Sequence, residues 1–279
     1  MEPRNVDEAT IAGFGDEWSA FDQAGLEEAE LDALFAQYFA VFPWERVEPD
    51  ATGFDLGCGS GRWALRVAPR VGTLHCIDAS REALAVAERN LAGCRNCLFT
   101  HASVDAPGLP PGSMDFGYSL GVLHHVPDTE AGLRACARLL RPGAPLLVYL
   151  YYAFDNRPVW YRLLWRASDV LRRRVSQLPH RAKLAITSVI AVAVYLPLAR
   201  AAALARRAGM RAEAFPLAYY ADRSLYTMRT DAYDRFGTRL EQRFTREQIA
   251  GMLTRAGFEG VRFSDGEPFW CAIATRGGT

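Results

Sequence analysis

The chain has 279 residues, 50% hydrophobic, 23% charged and 11% aromatic, with 32 basic residues balancing 32 acidic ones. That apolar content excludes a disordered chain, and the length allows one elaborated domain or two small ones. The zero net charge hides a split: residues 1–50 hold 13 acids and 2 bases, whereas residues 151–215 hold 12 bases and 3 acids, so either the two segments face each other or the basic one faces a partner.

The opening stretch MEPRNVDEATIAGF has neither a basic nor an apolar leader segment and does not read as a secretory signal. The six cysteines are scattered, with a single CxxC at Cys94 and Cys97, and read as reduced thiols of a cytoplasmic protein. No carboxylate or histidine cluster suggests a metal.

Residues 7–47 carry apolar side chains at helical spacing, from Phe14 and Trp18 to Tyr38 and Phe39, and predict two helices separated near Gly25. The period then changes. Short buried strands are predicted at 51–57, 73–78, 97–101, 114–120 and 145–152. Helices fall between them, one capped by Ser80 and one opened by Pro127-Asp128-Thr129. Strands alternating with helices at this spacing imply βαβ units and a parallel sheet. From 155 to about 230 the pattern is helical, basic and aromatic, broken at Pro179, Pro197, Gly209 and Pro216. A capping box at Thr245 and Gln248 opens a last helix, and strands at 260–264 and 268–275 are joined by a short turn, hence antiparallel.

The sharpest local signal is Asp55-Leu-Gly57-Cys58-Gly59-Ser-Gly61, which ends the first strand and opens a helix. Glycines let a backbone turn tightly and approach a ligand closely, and the helix start offers free N–H groups. A dinucleotide site wants G-x-G-x-x-G, whereas the spacing here is G-x-G-x-G, with Arg62 where the third glycine would stand. Asp55 would repel a pyrophosphate and suits an ammonium. Asp78 ends the second strand, where a carboxylate accepts both ribose hydroxyls, and Asp105 follows the third, within reach of an adenine amino group. Together they describe a nucleoside with an amino-acid tail, S-adenosylmethionine (SAM).

Here the sequence resembles the class I SAM-dependent methyltransferases, and within them the ubiquinone/menaquinone-biosynthesis and small-molecule group. The resemblance rests on FDLGCGSGRWA (54–64), CIDAS (76–80), SVDAPGLPPGSMDFGYSLGVLHHVPD (103–128) and LLRPGAPLLVYL (139–150), and extends to 243–275. It implies an α/β, doubly wound Rossmann-like fold with a seven-stranded, mostly parallel sheet and an antiparallel last strand. It implies an N-terminal helical arm (1–50), a SAM-binding core (51–154), a helical lid (155–242) and a closing helix and strands (243–279). Cofactor contacts are expected from Asp55, Gly57, Cys58, Gly59, Gly61, Asp78, Ala79, Ser103, Val104, Asp105 and Leu120, with S-adenosylhomocysteine as product.

A methyl sulfonium is already reactive, so the protein has mainly to align the acceptor and exclude water; for an oxygen nucleophile His124 or His125 is the candidate base. Trp18, Tyr219, Tyr226 and Arg229 are candidate acceptor contacts, for an O, N or C nucleophile of a small organic molecule, anionic or lipid-linked. The uncharged run 184–199 falls short of the ~20 residues of a membrane span, but with its basic flanks residues 181–207 suit peripheral contact with the inner face of a membrane. A nucleic-acid methyltransferase, favoured by the basic insertion, and a SAM-binding protein without transferase activity remain as alternatives. The loop Ser119-Leu-Gly-Val-Leu-His-His125 lacks the N/D-P-P-Y/F of amino-methylating nucleic-acid enzymes, and no nucleic-acid partner is expected. The charge split suggests that arm and lid lie against each other over the cofactor.

Overall fold

The computed structural model describes residues 5–23, 25–210 and 215–278. Residues 1–4, 24, 211–214 and 279, parts of the expected arm, insertion and C-terminus, lie outside them. The chain divides into two compact units. The first is Met1–Asp22, Leu31–Asp155 and Leu240–Thr279; the second is Gln23–Glu30 and Asn156–Arg239.

The first unit holds β1 (Thr52–Leu56), β2 (Thr73–Asp78), β3 (Cys97–His101), β4 (Phe116–Leu120), β5 (Pro145–Tyr149), β6 (Phe258–Phe263) and β7 (Cys271–Arg276). They form one sheet in the order β3-β2-β1-β4-β5-β7-β6. The five N-terminal strands run parallel, and β7 is antiparallel to both β5 and β6. A parallel sheet is covered on both faces, so its strands are largely apolar. Phe116 to Leu120 are accordingly all buried, as are Leu146, Leu147 and Val148.

The helices of this unit are α1 (Glu8–Ala20), α2 (Glu28–Tyr38), which begins in the second unit, α3 (Ala64–Val67), α4 (Arg81–Asn90), α5 (Thr129–Leu139) and α10 (Arg246–Arg255). Side chains cap four of them: Asp7, Ser80, Asp128 and Thr245 accept from backbone N–H groups of the first turn, and Gln248 completes the capping box. One face of the sheet packs Leu56, Ile77, Leu146 and Val148 against Leu133, Ile249 and Leu253. Elsewhere in the unit Phe39 meets Tyr118 and Phe42 meets Phe116, with ring centroids 5.3 and 6.0 Å apart.

The second unit is helical: α6 (Val159–Val175), α7 (His180–Ile190), α8 (Leu196–Arg207) and α9 (Leu225–Gly237). Its core gathers Val175, Ala191, Tyr195, Ala199, Met228, Ala232 and Phe236. The break expected at Pro197 does not occur. Residues Ala191–Tyr195 form a π-helical stretch that joins α7 to α8, and Pro197 falls in the first turn of α8. A π-bulge takes up the hydrogen-bond mismatch that a proline introduces.

Of the arginine run, Arg172 is not a free anion-binding group: it is buried, 2.6 Å from Asp169, and donates to the carbonyls of Thr238 and Arg239. Within this unit Glu30, from the acidic segment, accepts from the backbone N–H of Ser224 and the hydroxyl of Thr227.

Candidate active site

The strand order of the first unit reverses between β1 and β4, and open α/β sheets bind ligands at the carboxyl ends of the strands beside such a reversal. A cavity opens there. Its walls are the loop after β1 (Gly57 to Ser60), the end of β2 (Asp78 to Ser80), Ala102 and Val104 after β3, Leu120 to Val122 after β4, and His125 and Val126 beyond. Asn5 to Asp7, Phe14 and Trp18 close it from the N-terminal side, with Arg62 and Trp63 beside the glycine loop.

Gly59 has a left-handed backbone (φ +54°), and a Cβ there would stand 2.9 Å from the Trp18 indole. Its amide donates to Asp78 Oδ2, and the Ser80 amide donates to Oδ1, each at 2.8 Å. Burial pushes the Asp78 carboxyl up from the ordinary carboxylate range, and these two amides hold it down in part. Gly61 lies outside the cavity wall; a Cβ there would meet Leu91 at 2.8 Å, so this glycine serves helix packing.

Asp55 lies one strand layer behind the loop, beside Tyr118 in the β1–β4 register. Neither carboxylate oxygen makes a hydrogen bond. Burial pushes its carboxyl up to about 8, while the Tyr118 hydroxyl holds it down in part and the Asp78 charge adds to the rise. A buried carboxyl beside the Tyr118 hydroxyl, under a glycine loop, fits a ligand that brings a cation.

Ser103 and Asp105 are near the cavity but do not line it; Val104 does. The Asp105 carboxylate accepts the Asn5 backbone N–H at 3.2 Å, while the Asn5 side chain exchanges hydrogen bonds with the backbone of Asp128. Sequence reading missed Asn5, whose only local sign is that it precedes the α1 cap Asp7.

The two adjacent histidines part company. His125 lines the cavity, packs edge-on to Phe14 with ring centroids 5.0 Å apart, and places Nδ1 2.7 Å from the Leu240 carbonyl oxygen. A carbonyl can only accept, so Nδ1 carries the proton and Nε2 the lone pair in the neutral ring. His124 is fully buried, stacked on Tyr151 with centroids 3.9 Å apart, and neither ring nitrogen has a hydrogen-bond partner. Burial, reinforced by the neighbouring His125 and Arg243, drives its titration well below the usual imidazole range. Tyr151 in turn lies under Arg243, whose guanidinium pairs with Glu241 at 2.8 Å.

Tyr219, Tyr226 and Arg229 belong to the second unit. The Tyr226 hydroxyl accepts from the Gln23 amide at 2.8 Å, Arg229 reaches the Ser188 hydroxyl at 3.4 Å, and Tyr219 packs under the Arg223 guanidinium.

The sheet order and the ligand loop after β1 define a class I SAM-dependent methyltransferase fold, and comparison with known proteins agrees. Residues 54–143 match the methyltransferase domain family: the chain carries a class I SAM-dependent methyltransferase domain, with SAM as its cofactor. Among characterised relatives, a ubiquinone biosynthesis O-methyltransferase of Albidiferax ferrireducens is 37% identical over 106 residues, 37% of this chain and 40% of that protein. An uncharacterized methyltransferase of Mycobacterium bovis is 29% identical over 129 residues, 46% of this chain and 65% of that protein. The match thus spans about half the length of the curated relatives. Of solved structures, a chain from the complex between the Haloferax volcanii Trm112 methyltransferase activator and a methyltransferase aligns over 94% of this chain and 97% of its own length, with TM-score 0.54 and 15% identity, a likeness of fold.

Proposed function

We propose that this protein transfers the methyl group of SAM to a small organic acceptor, with His125 as the general base for an oxygen nucleophile. The observation that carries the reading is a single cavity shared by the Gly57–Gly59 loop, Asp78 and a histidine whose tautomer is fixed. In this reading Asp78 accepts the ribose hydroxyls, the glycine loop bears the methionine part, and Asp55 answers the ammonium. Bound there, SAM supplies an electrophilic methyl on a sulfonium leaving group. The protein's share is to hold the acceptor in line behind that methyl, exclude water and accept the acceptor's proton on His125 Nε2. His124, buried and unpartnered, packs behind it.

Within the first unit, Trp18, which lines the cavity, is assigned to the acceptor. The protein is assigned to the cytoplasm, with peripheral contact to the inner membrane face through 181–207. The matched ubiquinone biosynthesis O-methyltransferases support a hydroxylated, lipid-linked acceptor.

The test is a methylation assay with phenolic, carboxylic and amine acceptors, with and without a prenyl tail, using methyl-labelled SAM. A hydroxylated acceptor turned over by the wild type and not by His125→Ala supports the assignment. Equal turnover by both removes His125 from the chemistry.

A further inference from the structure

The helical unit carries almost all of the molecule's large exposed apolar side chains. Of the 17 such residues among the described ones, only Leu98 lies outside Asn156–Arg239. Soluble monomers rarely gather exposed apolar surface in this way, and where it occurs it marks an interaction site.

Two faces account for most of it. From His180 to Arg207 the chain is helical over 28 residues. Lys183, Thr187, Ala191, Tyr195, Ala199 and Ala202 form a buried stripe along one side at three- and four-residue spacing. On the other side every exposed residue from Ala185 to Leu198 is apolar, including Ile186, Val189, Val192 and Val194. Arginines stand at the ends, Arg181 before this face and Arg200 and Arg207 after it.

Helix α6 shows three sectors. Asp169, Arg172 and Val175 are buried in the unit. Trp160, Leu163, Leu164 and Leu171 are exposed, and with Val159 and Val170 they spread over a sector of roughly 140° at 3.6 residues per turn, which also holds the exposed Arg174 in the last turn. Arg162, Arg166 and Arg173 border that sector on one side.

Apolar side chains including a tryptophan, beside a row of arginines, are the chemistry of a helix lying in a lipid interface. The length of His180–Arg207 would reach across a bilayer. A spanning helix would be wrapped by lipid on all sides, however, whereas this one is packed on its own unit along one side from Lys183 to Ala202. A second copy of the chain is a poorer occupant: segment 151–215 holds 12 bases against 3 acids, and a symmetric interface would bring that charge against itself. An anionic leaflet complements it.

We propose that the helical unit docks in the plane of an anionic lipid surface through α6 and the exposed face of His180–Arg207. This deepens the acceptor reading above and rests on it for the acceptor's lipid-linked character.

The experiment is co-sedimentation of the full-length protein with phosphatidylcholine vesicles, with and without phosphatidylglycerol, with S-adenosylhomocysteine binding measured on the same preparations. The proposal expects binding to the phosphatidylglycerol vesicles that weakens with salt. It expects a drop of about tenfold or more in partitioning for Leu163→Glu/Leu164→Glu and for Val189→Glu/Val192→Glu, with nucleoside binding unchanged. Absence of vesicle binding by protein that binds the nucleoside overturns the docking proposal alone. So does concentration-dependent dimerisation abolished by these variants without vesicle binding. Vesicle binding by protein that fails to bind the nucleoside upholds docking and sinks the active-site reading.

Discussion

The Nδ1 atom of His125 lies 2.7 Å from the carbonyl oxygen of Leu240. The residues are 115 positions apart, and the contact fixes which ring nitrogen keeps its lone pair. His125→Ala should lower turnover of a hydroxylated acceptor by roughly a hundredfold or more and leave S-adenosylhomocysteine affinity unchanged by calorimetry. His124→Leu should keep turnover within a few-fold, because its ring makes no hydrogen bond and removing a buried unpartnered polar group is close to neutral for stability.

Asp55 and His124 also set a pH dependence in the ligand-free protein. The Asp55 carboxyl is raised to about 8 in the folded chain, so its favourable contribution is present below the unfolded value of about 4 and is lost as pH rises toward 8. The titration of His124 is depressed, so its contribution is lost as pH falls below the unfolded value of about 6.5. Between those unfolded values the two oppose each other; above pH 6.5 His124 no longer contributes, and Asp55 acts in the same direction as Asp78, whose carboxyl burial also raises. Unfolding free energy from urea melts should fall by about 2 kcal/mol between pH 6.5 and 8 through Asp55, and Asp55→Asn should abolish that fall. An unchanged slope in the variant would show that Asp55 is already ionised in the native state.

The Gly59–Asp78 contact predicts two affinity losses of different origin. Asp78→Asn removes a charge that accepts two amides and should weaken nucleoside binding by roughly tenfold to a hundredfold. Gly59→Ala forces a side chain into a left-handed position and against Trp18, a strain of about 1–2 kcal/mol. Its loss of binding should be partly restored by Trp18→Ala, which isothermal calorimetry on the double variant can read; no restoration would place the strain in the backbone alone.

In the helical unit, Asp169 is buried against Arg172. Asp169→Ala strands a buried guanidinium, and breaking a buried pair in this way costs about 3–5 kcal/mol. Thermal unfolding should show the loss, while nucleoside binding by the other unit persists at low temperature.

The sheet was legible because a parallel sheet demands short, largely apolar strands, and 52–56, 73–78 and 116–120 carry them between helix signals. The glycine loop and Asp78 were legible because the turn and the carboxylate sit at fixed places relative to those strands. What escaped sequence reading came from distant backbone groups. The Leu240 carbonyl orients His125, and the Asn5 amide meets Asp105, and no local pattern announces either. Adjacent residues were equally opaque: a single 3₁₀ turn at Leu123–His125 sends one histidine to the cavity and the other into the core. The continuity of His180–Arg207 through Pro197 escaped because the π-helical stretch that absorbs the proline has no sequence signature. The placement of Gln23–Glu30 with the helical unit rests on contacts such as Glu30 to Thr227, 197 residues away, which helical periodicity does not encode.

The central claim is that the cavity between the Gly57–Gly59 loop, Asp78 and His125 holds SAM for methyl transfer. Calorimetric titration of the full-length protein with S-adenosylhomocysteine tests it most directly. The account predicts one saturable site, lost or strongly weakened in Asp78→Asn and retained in His125→Ala. Absence of binding to S-adenosylhomocysteine and SAM, together with binding of NAD, would contradict it.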